Sequence, residues 1–91
     1  MKPNHHAESN MTREELIERV KETIAKETNI SFSGVHLDTR LEDVNIDSLD
    51  MIEVALALEK TFNITIVTTE LLRFQTFGDV IEELQRKLSS E

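Results

Sequence analysis

Apolar residues recur at helical spacing in three stretches of this chain, and strand-like alternation finds no partner anywhere. Leu16, Val20 and Ile24 follow at spacing four, with Ile17 beside them. Met51, Val54 and Leu58 make a second stripe. Phe77, Val80, Ile81, Leu84 and Leu88 make a third. Each stripe covers one side of a helix and must leave water against the others. The one strand-like run, ITIV at 64–67, has no second run to pair with. These patterns predict an all-α fold, a four-helix bundle of three longer helices and one short one.

Local signals place the helix ends. Thr12 with Glu15 three residues on is a capping box, and that helix ends near Thr28. Asp47 is suited to cap a second helix from about Ser48 to Thr61, with Asn63 as its stop. A short third helix is expected over roughly Thr69 to Arg73. The last opens at Thr76, with Asp79 in its N3 position. The long connection over 29–46 shows no sustained period. Asn29, Gly34, Asp38 and Asn45 punctuate it, while Val35, Leu37, Leu41, Val44 and Ile46 can anchor it to a core. Connections this long are more often functional than idle. His36, with no second histidine or cysteine near, reads as a packing or surface residue.

Composition narrows the function. Ninety-one residues make one domain, read here as 11–91. Residues 1–10 read as a disordered, partly tag-like tail, in which His5 and His6 are solvated rather than a metal site. With no cysteine, neither disulfides nor thiolate chemistry is available, which fits a cytoplasmic, reducing compartment. Eighteen acids against ten bases leave a net charge of −8, so nucleic-acid phosphates are repelled and basic protein partners attracted. No apolar run is long enough to span a bilayer. A monomer is expected.

The second helix has two faces to explain. Turning 100° per residue from Ser48, Met51, Val54 and Leu58 fall on the core side. Leu49, Ile52 and Leu56 fall between about 40° and 100°, close to the opposite side. A small bundle cannot surround such a helix, so the second face suits a protein partner unless the 29–46 connection folds over it. From Leu41 to Glu59 there are six acids, Glu42, Asp43, Asp47, Asp50, Glu53 and Glu59, and no base. An apolar patch with acidic neighbours suits a groove with a basic rim. The expected docking residues are Asp50, Ile52, Glu53, Leu56 and Glu59.

The run IDSLDMIEVALALEKTFNI at 46–64 resembles the region around the modified serine of acyl carrier proteins. In that family a D-S-L triplet opens an acidic helix of the form D-S-L-D-x-x-E-x-x-x-x-L-E. Asp47, Ser48, Leu49, Asp50, Glu53, Leu58 and Glu59 stand in that register. LEDVNI upstream and TFGDVIEEL downstream resemble the family's approach to the serine and the start of its fourth helix. The resemblance implies a carrier, not an enzyme. A phosphopantetheinyl transferase would join Ser48 to 4′-phosphopantetheine from coenzyme A, with Asp47 and Leu49 flanking the site. Acyltransferases, ketosynthases or acyl-activating ligases with basic docking patches would then use the loaded arm, in fatty-acid synthesis or a dedicated pathway. Val54, Leu58, Phe62, Ile66 and Phe74 would line an apolar cleft for the acyl chain.

Two departures from the pattern are visible. Asn45 stands where the family usually has glycine, and asparagine readily takes positive φ. Lys60 stands where the family is often acidic. Rival readings are weaker. Asp43, Asn45 and Asp47 match the first positions of a calcium-binding loop, but Ser48 replaces its glycine and Val54 its final glutamate. Ser48, His36 and Asp47 supply the residue types of a catalytic triad without an oxyanion-hole loop. By local sequence alone Ser48 could be a plain helix cap, and the chain an unmodified interaction module.

Overall fold

Four helices each begin where a carboxylate or hydroxyl takes up a free N–H group. They are seen in a computed structural model that describes residues 11–89. The expected tail, with His5 and His6, lies outside the described residues. Helix α1 (Arg13–Glu27) opens at Thr12, whose hydroxyl accepts from Glu15 N–H at 3.1 Å while the Glu15 carboxylate accepts from Thr12 N–H at 3.0 Å. It closes at Thr28, whose hydroxyl donates to the Ile24 carbonyl at 2.7 Å. Helix α2 (Ser48–Phe62) runs from Asp47 to Asn63, which takes a left-handed φ of 57°. Helix α4 (Phe77–Ser89) opens at Thr76, which exchanges bonds with Asp79.

The short helix α3 spans Thr68–Leu71, one residue before the expected start and two short of the expected end. Glu70 fixes the start by accepting from Val67 N–H at 3.1 Å. The end comes early because Arg73 and Phe74 bond back three residues, to the carbonyls of Glu70 and Leu71, which tightens the chain into a turn.

The three longer helices bury their stripes against one another. Leu16, Val20 and Ile24 of α1 meet Val54 and Leu58 of α2 and Phe77, Val80, Ile81 and Leu84 of α4. Burial of each such side chain contributes about 1.5–3 kcal/mol. The long connection closes the core with Phe32, Val35 and Leu41. The Phe32 and Phe77 rings tilt at 60° with centroids 5.1 Å apart, a favoured geometry for aromatic pairs.

That connection is not wholly irregular. Leu41–Val44 form a 3₁₀ turn that ends at Asn45, in the left-handed region with φ 62°. The positive φ expected of Asn45 is therefore observed. A seam then binds the connection to the start of α4. Leu41 N–H donates to the Gln75 carbonyl at 2.9 Å, Phe77 N–H to Thr39 at 3.1 Å, and Gly78 N–H to Leu37 at 2.7 Å. Gly78 permits this approach, since a Cβ there would sit 2.8 Å from the Leu37 carbonyl oxygen. The seam includes one isolated bridge, Arg40 to Thr76, and the described residues contain no strand. No helix among them is long and apolar enough to cross a membrane.

Candidate functional site

Asp47, and not Ser48, caps α2. Its carboxylate accepts from Asp50 N–H at 2.9 Å, and the Asp50 carboxylate returns the contact to Asp47 N–H at 3.3 Å. Met51 N–H goes to the Asp47 carbonyl. Ser48 is then the first residue of the helix, exposed, with its hydroxyl in no hydrogen bond to a described residue. The plain-cap reading of Ser48 is therefore displaced by its neighbour. The N–H groups of Ser48 and Leu49 have no intrahelical partner at this end, so a covalently attached phosphate would meet the favourable end of the helix dipole. An accessible hydroxyl at a helix start is the nucleophile that a phosphodiester link requires, and the residues present fit that group.

Ser48 lies on the wall of a cleft of about 360 Å³ between the start of α2, the turn at 41–44 and the short helix α3. Its apolar lining includes Leu41, Ile46, Met51, Ile52, Leu71 and Phe74, and its polar part includes Arg40, Glu42, Asp47 and Gln75. Of the residues expected to shelter an acyl chain, Phe74 alone shares this cleft. Val54 and Leu58 are sealed in the core at 0% and 1% exposure, Ile66 is buried, and Phe62 is half-buried. Their apolar character comes from the bundle interior. The cleft wall draws on segments far apart in sequence, which periodicity does not connect.

Beside Ser48, α2 presents its second apolar face to water. Leu49 is 74% exposed, Leu56 60% and Ile52 45%, so the long connection does not fold over this face. Glu53 is exposed and Asp50 half-buried. Glu59 is differently employed: its carboxylate accepts from Ile66 N–H at 2.7 Å and so ties the segment after α2 back to the helix. Lys60 lies 3.9 Å from Glu27 of α1. His36 is exposed and does not line the cleft with Ser48, so Ser48, His36 and Asp47 do not share one site.

Known proteins place this geometry. The family model described as the phosphopantetheine attachment site matches residues 18–84. The acyl carrier protein of Aster yellows witches'-broom phytoplasma is 36% identical over 75 residues, covering 81% of this chain and 99% of that protein. The acyl carrier protein of Thermotoga maritima, 22% identical, superposes with a TM-score of 0.79 over 88% of this chain and 94% of its own. The acetyl actinorhodin acyl carrier protein of Streptomyces coelicolor, 26% identical, gives 0.64 over 88% and 93%. The chain belongs to the phosphopantetheine-attachment family of acyl carrier proteins. Members are carriers rather than enzymes, and the cofactor is a covalent 4′-phosphopantetheine.

Proposed function

We propose that Ser48 is the attachment residue, and that the protein presents acyl groups held there to biosynthetic enzymes in the cytoplasm. The observation that carries this is the free, exposed Ser48 hydroxyl at the start of α2, beside a cap that Asp47 already supplies. In the loading step Ser48 Oγ forms a phosphoester bond and the pyrophosphate bond of coenzyme A breaks. The adenosine bisphosphate half leaves, and the hydroxyl proton goes to a base of the transferase. The transferase has to bring that base, because neither a histidine nor a lysine lines the cleft. The attached arm supplies a terminal thiol for the acyl thioester.

Partners dock on the exposed face of α2. Leu49, Ile52 and Leu56 offer apolar area and Asp50 and Glu53 offer charge, which together favour a groove with a basic rim. The acyl chain starts from the cleft beside Ser48. Going deeper means displacing core side chains, since Val54 and Leu58 are fully buried there.

Incubation with coenzyme A and a phosphopantetheinyl transferase should add one arm by intact mass, and Ser48→Ala should take none. Addition that persists in Ser48→Ala would reject the assignment.

A further inference from the structure

The cleft that holds Ser48 is acidic except at one point. Glu42 and Asp47 line it, and Arg40 is the one base among the described residues that do so. A phosphodiester on Ser48 would bring a further negative charge into this setting. Arg40 is the group able to answer it. Its guanidinium now pairs with Glu42, 3.0 Å from Nη2 and 3.2 Å from Nε to the same carboxylate oxygen. Both side chains are well exposed, 54% and 71%, and exposed pairs of this kind hold weakly. Guanidinium has the planar donor set that matches phosphate oxygens bidentately, so Glu42 is a competitor easily displaced.

The backbone beneath Arg40 is held firmly, while its exposed guanidinium is engaged by Glu42 alone among the described residues. Residues on both sides of it, Thr39 and Leu41, bond to Phe77 and Gln75, and Arg40 itself bridges to Thr76. The seam thus delivers a cation to a fixed place on the cleft wall. We infer that Arg40 is a positioning residue for the arm: it exchanges Glu42 for the phosphodiester on Ser48 and lays the arm along the cleft. This rests on attachment at Ser48 and adds a residue that the motif around the serine does not contain.

The test uses the arm-bearing protein, with intact mass confirming one arm in every sample. A failure to gain mass would count against Ser48, whereas the measurements on loaded protein address Arg40. In Arg40→Gln the phosphorus NMR resonance of the phosphodiester should move toward its value in urea-unfolded protein. The change in Tm caused by arm attachment should also become less favourable by roughly 2–4 °C. Glu42→Gln should keep the parent resonance, because it removes the competitor and not the partner. High salt should move the parent resonance in the same direction as Arg40→Gln, a measurement that does not depend on any variant folding. A folded Arg40→Gln protein with the parent's resonance and the parent's attachment effect on Tm would overturn the inference. So would equal loss of the resonance position in Glu42→Gln, or a salt-insensitive parent.

Discussion

Helices α2 and α4 are nearly equal in length and pack into the same core, yet they treat their remaining surface in opposite ways. Helix α4 buries Phe77, Val80, Ile81 and Leu84 almost completely and pairs Glu83, Arg86 and Lys87 within the chain. Arg86 bonds Glu83, and Lys87 reaches Glu70 of α3 at 3.1 Å and Glu83 at 3.4 Å. Helix α2 buries Val54 and Leu58 just as well, but leaves Leu49, Ile52 and Leu56 in water and Glu53 without an ion pair to a described residue. One helix pairs most of its charges within the chain and leaves Glu82 exposed. The other keeps part of its surface open, as an element must if it is to bind different proteins in turn.

The sharpest way to break this contrast is to truncate one apolar residue from each helix. Phe77→Ala should cost about 3–5 kcal/mol in urea unfolding, while Leu56→Ala should change stability by no more than about 0.5 kcal/mol. Loading by the transferase should rank the opposite way. Leu56→Ala and Glu53→Lys should slow it by roughly tenfold at low salt, with the Glu53→Lys deficit shrinking as salt rises. Comparable stability losses at Phe77 and Leu56 would remove the distinction.

A smaller effect is expected at the start of α2. Asp47→Ala removes the acceptor for Asp50 N–H and should cost about 1 kcal/mol, or roughly 4–8 °C in Tm. Thermal melts of the variant and parent check it.

The smallest effect concerns the home-paired side. The Glu70 carboxyl is held below its usual range first by the hydrogen bond from Val67 N–H, with the hydrogen bond and charge of Lys87 adding to this and partial burial opposing it. Because its pKa is lowered by folding, the stability it contributes is full above its ordinary value of 4.5. It is lost as pH falls below that value through the folded one. The stability gap between parent and Glu70→Gln should be flat near neutrality and close on acidification. A gap that widened in acid would contradict the pairing.

The helices were legible in the sequence because their signals are local. Thr12 with Glu15, Thr76 with Asp79, Asp47 ahead of Ser48, and Asn63 after α2 each sit within one turn of the group they satisfy. Angle set Leu49, Ile52 and Leu56 away from the core side, while their exposure also needed the 29–46 connection to pack elsewhere. What escaped had partners far along the chain. Glu59 reads as one more docking acid, yet its carboxylate holds an N–H seven residues away. The acid-only count began at Leu41 and stopped one residue short of Arg40, which the seam with residues 75–78 brings onto the Ser48 cleft. The apolar residues nominated for an acyl cleft include the deepest of the core because hydrophobicity does not distinguish a lining from a filling.

Gly78 gives that seam a further meaning, for inheritance rather than for folding. A methyl group there would meet the Leu37 carbonyl oxygen at 2.8 Å, and backbone has no rotamer with which to step aside. The connection would have to retreat, carrying Arg40 and Leu41 with it. A lineage that acquired alanine at 78 would then carry an altered cleft with Ser48, Asp47 and Leu49 intact, and a survey confined to the motif would find nothing wrong.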